Sequence, residues 1–447
     1  MGRHFTWLAL AGVVPVVLLC VTFYSCRGPT ADNGTHRTAV LCRNAREPAG
    51  SVEPVGQAHI TLVPRDPLNS YWVSVPGPEW DTQIEVTDGV ALIGNGDSQH
   101  LIAVDLQAGG VLWSHEITPD RSVAWLGSGA GRFFFPDLLK EGSGEGWGLH
   151  LLAVDAGTGR RLWSAPTGDY GLSTRPVYAA GSQMVFFGTA PATGPGAGAE
   201  DWGSHPPGLH GVRASDGRLV WFNEGPVVWD VVDDIAVGDE RVYCVFTRHL
   251  VAFRQKDGKA DWLESLPSAP ESPHRSGRLA LEGPRVLVSW GDQIAAFSRD
   301  TGRCLWAVSL PKGELTDPSV LPTATAGRFL LAVQSTEHGS APQRVLGIDV
   351  ASGAEVWRTS DVAPQGLTRL VTDGRFLVYR PRGRPSELAL LDIPSGRLAK
   401  RWKFEGVAHF CGDPGLDRHR LIALHVRDDR GLYLGIIDLA KELGKGS

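Results

Sequence analysis

The sequence predicts an all-β protein, an eight-bladed β-propeller of four-stranded antiparallel blades preceded by an N-terminal hydrophobic helix. Three observations support this prediction. A short unit ending in tryptophan recurs along most of the chain, two further apolar strands precede each unit, and the 447 residues include 55 glycines and 30 prolines. Such a turn-rich composition favours β structure, and periods of about 40–50 residues with four strands per unit are typical of propellers.

The recurring unit is clearest at 153–163, AVDAGTGRRLW. Two apolar runs flank a turn that contains Asp155 and Gly157, which predicts a β-hairpin. Gly159 is the predicted position of positive φ, because glycine adopts that conformation without a Cβ clash. Trp163 follows it after a fixed offset. Since an isolated hairpin is only marginally stable in water, the unit needs neighbours of its own kind.

Alignment on the turn glycine and the tryptophan reveals seven units, whose turn glycines lie 41 to 58 residues apart. The turn glycines are Gly109, Gly159, Gly217, Gly258, Gly302, Gly353 and Gly396. The tryptophans of the first six units are Trp113, Trp163, Trp221, Trp262, Trp306 and Trp357, whereas Trp402 of the seventh is displaced two residues downstream. A tryptophan side chain buries about 150–250 Å², so we expect each of them to anchor its blade on the next.

An eighth blade is predicted from the two ends of the propeller region. Residues 409–439 contain three strands that no tryptophan strand follows, whereas 69–76, NSYWVSVP, is a lone strand with Trp72. One period separates Trp72 from Trp113. We therefore expect residues 69–76 to close the last blade, which would hide sheet edges from other chains. The propeller should span 68–440, remain monomeric and be followed by a tail at 441–447.

The N-terminal region is predicted to be a membrane anchor or signal segment at 1–27, followed by a flexible linker at 28–67. Phe5–Tyr24 is almost wholly apolar, long enough to span a bilayer and long for the apolar region of a signal peptide. A short charged start before an apolar run favours export, hence an extracytoplasmic propeller. The positive-inside rule read alone favours the opposite orientation. Cleavage to a secreted form and lipid modification near Cys20 or Cys26 stay open.

Charge and cysteine content exclude several classes of function. The net charge of −6 gives no general attraction to nucleic acid. Cys244, Cys304 and Cys411 are isolated in the propeller region and no CxxC occurs, which argues against zinc and thioredoxin-type sites. We expect these three to be small buried apolar side chains. A disulfide between Cys244 and Cys304 is the alternative.

The repeat itself resembles that of PQQ-like (pyrroloquinoline quinone-type) β-propellers. The resemblance rests on a strand, Asp or Ser, three residues, Gly, and Trp four residues later, and it covers about 69–440. This family includes quinoprotein alcohol dehydrogenases, BamB-like outer-membrane assembly lipoproteins, and sensor propellers joined to membrane anchors or kinases. The resemblance implies the propeller fold, and the chain looks like the BamB-like, non-enzymatic branch.

The dehydrogenase branch would imply adjacent cysteines near the quinone, acidic and Asn ligands for calcium and an Asp base. The chain has no adjacent cysteines. Asp230, Asp233 and Asp234 fit no calcium loop, and we expect them in a solvated turn before strand Ile235–Val237. His205 and His210 flank a Gly/Pro loop without metal-site spacing. We expect no catalytic, cofactor or metal residue; a PQQ/calcium-dependent alcohol or sugar dehydrogenase and a ligand-sensing propeller are the alternatives.

Partner binding is predicted on one face of the propeller. The hairpin turns are uniformly short, whereas insertions fall between second and third strands, at Lys140–Gly148, Ala190–Gly208, Thr336–Gln343 and Arg380–Pro385. Insertions on one face often mark the binding side. The candidate residues are Trp147 and Trp202 in insertions and Tyr170 and Trp229 in links between blades.

These aromatic side chains would suit a protein or glycan partner if they are exposed together. The alternative is that the rings pack over their own glycine-rich loops. We therefore predict a membrane-anchored, extracytoplasmic module that binds or scaffolds protein or envelope partners.

Overall fold

The computed structural model describes the strands and most turns of the propeller region. The described residues are 62–63, 69–72, 82–95, 100–117, 126–140, 147–168, 170–191, 207–226, 231–246, 248–266, 277–316, 322–335, 344–359, 371–372, 374–381, 383–404, 407–417, 420–427 and 432–439. The predicted N-terminal helix, the segment 5–24, nearly all of the linker and the tail 441–447 lie outside them. Within these ranges no helix is long and apolar enough to cross a membrane.

The strands of the described residues form eight antiparallel sheets, numbered here in chain order. The chain begins with β1 (Leu62–Val63) and β2 (Asn69–Trp72). Sheet 1 contains β3 (Thr82–Thr87), β4 (Val90–Asn95), β5 (His100–Asp105) and β6 (Val111–Glu116). Sheet 2 contains β7 (Gly127–Gly129), β8 (Arg132–Lys140), β9 (Trp147–Asp155) and β10 (Arg161–Gly168). Sheet 3 contains β11 (Tyr170–Leu172), β12 (Val177–Ala179), β13 (Met184–Pro191), β14 (Leu209–Arg213) and β15 (Leu219–Asn223). Sheet 4 contains β16 (Val232–Val237), β17 (Arg241–Phe246), β18 (His249–Arg254) and β19 (Ala260–Ser265).

The remaining four sheets follow the same order along the chain. Sheet 5 contains β20 (Arg278–Glu282), β21 (Arg285–Trp290), β22 (Gln293–Ser298) and β23 (Cys304–Ser309). Sheet 6 contains β24 (Glu314–Thr316), β25 (Thr323–Thr325), β26 (Arg328–Ser335), β27 (Arg344–Asp349) and β28 (Glu355–Thr359). Sheet 7 contains β29 (Val371–Thr372), β30 (Phe376–Tyr379), β31 (Glu387–Asp392) and β32 (Arg397–Lys403). Sheet 8 combines β33 (Val407–Asp417), β34 (Arg420–Arg427) and β35 (Leu432–Asp438) with β2 and β1.

Sheets 3 and 6 contain a fifth strand because their first strand is interrupted. β11 and β12 both pair with β13, and β24 and β25 both pair with β26. Each pair of short strands therefore occupies the place of one first strand. The four-stranded antiparallel plan of the other sheets is preserved.

Sheet 8 joins the two ends of the propeller region. β2 pairs antiparallel with β35, with Tyr71 opposite Leu434. This is the pairing that the lone Trp72 strand predicted. β1 adds a further strand that was not predicted, with Leu62 opposite Tyr71.

The apolar core is divided into clusters that lie between successive sheets. Trp113 and Leu101 of sheet 1 pack with Phe135 of sheet 2, while Ile102 of sheet 1 packs with Ile422 of sheet 8. The first strands of neighbouring sheets also lie against each other, β16 against β20 and β20 against β25. The fold is therefore an all-β propeller of four-stranded antiparallel blades, and this part of the predicted architecture is confirmed.

The tryptophans of the first six units each dock on the sheet that follows their own. Each indole Nε1–H donates to the backbone carbonyl of the residue that begins the hairpin turn of that next sheet. The bonds are Trp113 to Ala156 (2.7 Å), Trp163 to Ala214 (2.7 Å), Trp221 to Gln255 (2.6 Å), Trp262 to Arg299 (3.0 Å), Trp306 to Val350 (3.0 Å) and Trp357 to Ile393 (2.7 Å). The predicted anchoring role thus has a defined acceptor, a buried carbonyl that would otherwise lose its hydrogen bond.

The turn glycine receives the indole of the preceding sheet. Gly159 has φ of +68° and Gly217 has φ of +70°, as expected for the turn position. A Cβ added at Gly217 would lie 2.5 Å from Cε3 of Trp163. Gly159, Gly258, Gly302, Gly353 and Gly396 meet the preceding tryptophan in the same way. Glycine is therefore required at this position for two reasons: the backbone has a positive φ, and the indole of the preceding sheet occupies the space that a Cβ would need.

A β-bulge precedes each of these tryptophans. In sheet 1, Trp113 lies opposite Ala103 and Val111 opposite Val104, so that Leu112 has no partner in the ladder. The residues in the same position of the next sheets are Leu162, Val220, Asp261, Leu305 and Val356. A bulge bends its strand and increases the local twist. The residue opposite the tryptophan is alanine or glycine, which leaves room for the indole.

Trp402 departs from this arrangement, as its displaced position predicts. In sheet 7 the residue opposite Leu390 is Lys400, and Trp402 lies opposite Leu388. Its indole is still buried, against Phe410 and other apolar side chains of sheet 8. The ammonium of Lys400 lies 5.5 Å from the indole centroid.

We expect Gly217→Ala to destabilise the fold more than Gly327→Ala. Both positions have similar φ, +70° and +69°, so each substitution costs about 1–2 kcal/mol of backbone strain. Only Gly217 adds a clash with Trp163, worth about 1–3 kcal/mol, because a Cβ at Gly327 has nothing within 4 Å. Urea unfolding of both variants measures the difference.

Trp163→Ala should lower the free energy of unfolding by about 3–5 kcal/mol. In that background, Gly217→Ala should cost no more than Gly327→Ala, since the clash is gone. Equal costs for the two glycines in the wild-type background would contradict the docking role of Trp163.

Candidate functional site

The predicted partner-binding residues are only partly described. Trp147 is the first residue of β9 and Tyr170 the first residue of β11, so both lie in strands and not in the connections where we expected them. Their side chains lie outside the described residues, as do Trp202 and Trp229 entirely. That the four rings share one surface stays a prediction.

Asp233 and Asp234 lie in β16, not in a solvated turn as predicted, and they hold the next sheet. Oδ2 of Asp233 accepts the backbone N–H of Gly277 (3.2 Å), and Oδ2 of Asp234 accepts that of Leu279 (2.8 Å). Desolvation raises the pKa of Asp234, although Arg278 nearby lowers it. These carboxylates therefore join sheets 4 and 5. Asp230 lies outside the described residues.

A second polar contact joins the first strands of sheets 1 and 2 to sheet 3. Glu85 of β3 accepts a bond from Nη1 of Arg175 (2.9 Å) and one from Oγ of Ser128 (3.2 Å). The side chains of Arg175 and Glu85 are largely buried, at 15% and 10% exposure. A buried pair of this kind is costly to break from one side. The pair could not be predicted from the sequence, because Glu85 and Arg175 are 90 positions apart in the chain.

His210 is a half-buried side chain that packs against aromatic rings. Its imidazole stacks on Phe187 at 4.8 Å and 7° and contacts Phe222 at 4.8 Å. Nε2 lies 3.2 Å from Oγ1 of Thr189. Burial lowers the pKa of His210 from 6.5 to about 4, so the ring is neutral at physiological pH. His205, its predicted neighbour across the loop, lies outside the described residues.

The two cysteines whose side chains are described do not form the alternative disulfide. Cys244 is buried and free, and Cys304 is exposed and free. Burial raises the pKa of the Cys244 thiol well above its usual value. The prediction of a small buried side chain is thus confirmed for Cys244 and wrong for Cys304, which begins the outer strand β23. The Cys411 side chain lies outside the described residues.

The acids considered for calcium do not fit that role, because Asp233 and Asp234 already accept backbone N–H groups of sheet 5. No group of three His, Cys, Asp or Glu side chains suited to a metal ion occurs in the described part of the chain.

Two adjoining cavities lie at the turns between the first and second strands of sheets 3, 4 and 5 and at the hairpin turn between the third and fourth strands of sheet 5. Their volumes are about 350 and 470 Å³, and both are lined by Asp239 and Arg299. We call them together the turn-face cleft. The further lining residues are Glu240, Arg241, Tyr243, Gly283, Pro284 and Asp300 in the first cavity and Val177–Gly181, Val237, Gly238 and Leu281 in the second. This is the face opposite the insertions, where no site was predicted.

The two arginines of the turn-face cleft are in different electrostatic surroundings. Arg241 donates from Nε to Asp261 (2.7 Å) and from Nη1 to Asp300 (3.2 Å), and the bond to Asp261 raises its pKa. Arg299 donates from Nη1 to the carbonyl of Gly283 (3.0 Å). Its guanidinium lies 5.6 Å from the ring centroid of Tyr243. Arg299 forms no ion pair with any described carboxylate.

Arg299 occupies a position that all but one of the equivalent turns fill with an apolar side chain. It begins the hairpin turn of sheet 5 and supplies the carbonyl that accepts the Trp262 indole bond. The equivalent residues are Leu106, Ala156, Ala214, Gln255, Val350 and Ile393, all buried. The two polar residues at this position, Gln255 and Arg299, belong to the adjacent sheets 4 and 5. Gln255 donates from Nε2 to the carbonyl of Gly238 (2.6 Å). Comparing this position across repeats would have revealed the site from sequence.

Comparison with known proteins gives the same fold. The family model described as outer membrane protein assembly factor BamB matches residues 148–319 and 265–368. No curated protein sequence matches the chain. BamB from Moraxella catarrhalis is 15% identical, with 82% of this chain and 99% of that chain covered and a TM-score of 0.53.

Two dehydrogenase structures are similar at the same level. The quinohemoprotein alcohol dehydrogenase from Comamonas testosteroni is 14% identical, covering 80% of this chain and 74% of that one with a TM-score of 0.55. A europium-containing methanol dehydrogenase is 13% identical, covering 81% and 84% with a TM-score of 0.51. The predicted resemblance to PQQ-like, BamB-like propellers is confirmed, and at these identities the structures establish the fold alone.

The stability of the protein should fall on acidification because of His210. The unfolded chain binds a proton near pH 6.5 and the folded chain only near pH 4, so protonation favours unfolding in between. The stabilisation is fully present above pH 6.5 and is lost as the pH falls towards 4, by up to about 3 kcal/mol.

His210→Phe should remove this part of the pH dependence while it retains the stacking on Phe187. Urea unfolding between pH 4 and 7 tests it, with the exposed-turn variant Asp239→Asn as a control for general electrostatic effects. An unchanged slope in His210→Phe would contradict the assignment.

Proposed function

We propose that this PQQ-like, BamB-like propeller is a membrane-anchored, extracytoplasmic module that binds or scaffolds a protein partner. One observation carries the proposal: within the sheets, the longest connections between paired strands all join the second and third strands. They are 141–146 in sheet 2, 192–208 in sheet 3, 336–343 in sheet 6 and 380–386 in sheet 7. Antiparallel order puts these connections at the same ends of the blades as the links between sheets.

The docking of the tryptophans gives a physical reason for this asymmetry. The hairpin turns between third and fourth strands supply the carbonyls and glycines that receive the indoles. Their length and backbone conformation are therefore constrained by packing. The connections between second and third strands carry no such requirement, so they are free to differ between sheets, and surface loops of that kind commonly carry binding residues.

We propose further that the eight sheets are the eight blades of one closed ring. Apolar clusters shared by sheets 1 and 2, by sheets 7 and 8, and by sheets 8 and 1 support this. The pairing of β2 with β35 would then close the ring. A closed ring is a rigid platform whose loops keep fixed positions, which suits a scaffold.

The location of the protein is part of the same proposal. Phe5–Tyr24 would anchor it to the membrane, and the propeller would lie outside the cytoplasm. The matching family model bears the description outer membrane protein assembly factor, which supports a partner in envelope assembly. Fractionation with protease protection of intact cells tests the anchor and its orientation together.

The double variant Trp147→Ala and Trp202→Ala should reduce partner capture at least severalfold, because aromatic side chains dominate binding energy at interfaces. Crosslinking in the native membrane followed by mass spectrometry identifies the partner. The matched control is Leu263→Ala with Leu398→Ala, which removes exposed apolar side chains from outer strands β19 and β32. Equal capture by both double variants would refute this face as the site.

The same preparation separates the alternatives. A quinone-dependent dehydrogenase would gain absorbance and alcohol- or sugar-oxidising activity on addition of PQQ and calcium. A sensor propeller would bind a small ligand without a stable protein partner. We expect neither the activity nor the absorbance change.

A further inference from the structure

We propose that the turn-face cleft binds a monocarboxylate with an apolar body, and that Arg299 holds the carboxylate. This site is independent of the proposed partner-binding function, since it lies at the hairpin turns and not at the insertions. Its ligand would be either a free organic acid or the C-terminus of a peptide with an apolar last residue, which present the same chemistry.

The charge of Arg299 is the first argument. Of the two arginines in the cleft, Arg241 is neutralised by Asp261 and Asp300 at 2.7 and 3.2 Å. Arg299 makes hydrogen bonds to a carbonyl and a phenol but no ion pair with a described carboxylate. A guanidinium with free donors at a cleft is suited to bind a carboxylate, because its planar fork matches the two oxygens.

The second argument is that Arg299 is held in place before any ligand arrives. Its guanidinium lies against the ring of Tyr243, and Nη1 is fixed by the Gly283 carbonyl (3.0 Å). Gly238 makes room for it, since a Cβ at Gly238 would overlap Nη2 of Arg299. A cation that is already oriented loses less conformational entropy on binding.

The shape of the cleft indicates the rest of the ligand. Beyond Arg299 the larger cavity, about 470 Å³, is lined by Val177, Ala179, Val237 and Leu281. Cavities of a few hundred Å³ with an apolar wall and few polar groups fit small molecules. An aliphatic or aromatic body therefore fits beside the guanidinium.

The acids at the rim restrict the charge of the ligand. Asp239 and Glu240 are exposed in the turn between β16 and β17, and Asp300 is exposed beside Arg299. Their negative charges oppose the entry of di- and trianions. The cleft should therefore prefer one carboxylate over phosphate or dicarboxylates.

Departure from the repeat supports a role beyond folding. Val350 is the equivalent residue of sheet 6. Its backbone carbonyl accepts the indole N–H of Trp306 at 3.0 Å, and the backbone carbonyl of Arg299 accepts that of Trp262 at the same distance. The arginine side chain is thus not needed for docking. Arg299→Val should keep the fold, which makes it a clean probe of the site.

The test is isothermal titration of the full chain with 3-phenylpropionate and with its uncharged amide, 3-phenylpropanamide. We expect binding of the acid only, weakened by salt. Arg299→Val should weaken it at least tenfold, and Gly238→Ala severalfold, because the added methyl displaces Nη2. Arg303→Gln, an exposed arginine of the same turn that does not line the cleft, should bind like the wild type.

A second pair of probes, N-acetyl-Gly-Gly-Phe and its C-terminal amide, distinguishes the sources. Binding of the peptide acid as well identifies a peptide C-terminus, whereas binding of 3-phenylpropionate alone identifies a free acid. The proposal is overturned if neither acid binds at millimolar concentration, or if the amides bind as well as the acids. It is also overturned if Arg299→Val binds the acid like the wild type while its unfolding curve is unchanged. Loss of partner capture in the Trp147 and Trp202 variant does not bear on it.

Discussion

The contact between a tryptophan of one sheet and the turn glycine of the next is the interaction on which this fold depends. Trp163 illustrates it: the indole donates to the Ala214 carbonyl and covers Gly217, where no side chain fits. One contact thus satisfies a buried carbonyl, buries a large apolar surface and sets the distance between sheets. Because six sheets repeat it, the spacing of the propeller follows from a single local geometry.

This contact also determines where the sheets are able to differ. Its backbone atoms lie in the hairpin turns, so these turns keep their length, whereas the connections on the other face vary. Side chains at the turns are less restricted than the backbone. Arg299 and Gln255 show this, since they replace apolar residues while the carbonyls still accept the indole bonds. A polar cleft has therefore arisen on the face whose backbone is most constrained.

Most of the architecture could be predicted from sequence because the repeat encodes it locally. The turn glycine, the tryptophan and the lone Trp72 strand predicted the hairpins and the pairing of β2 with β35. The bulge residues, such as Leu112, were missed because a fixed spacing does not show which residue leaves the ladder. The Glu85–Arg175 pair was missed because its residues are 90 positions apart. Arg299 does not stand out in the repeat pattern, because it lies at a position where the repeats differ and the pattern marks only the positions that stay the same.

The split location of each docking contact has a consequence for how such chains change in evolution. No sheet contains a complete contact, since it contributes an indole to one neighbour and a glycine to the other. Any segment of the chain that is one repeat period long therefore supplies one indole and one turn glycine, wherever the segment begins. Recombination between links would duplicate or delete a blade, and each of the six regular indoles would still meet a turn glycine. The positions at which the chain enters and leaves the propeller could change in the same way. Sheet 8, which combines strands from both ends of the propeller region, is one such arrangement.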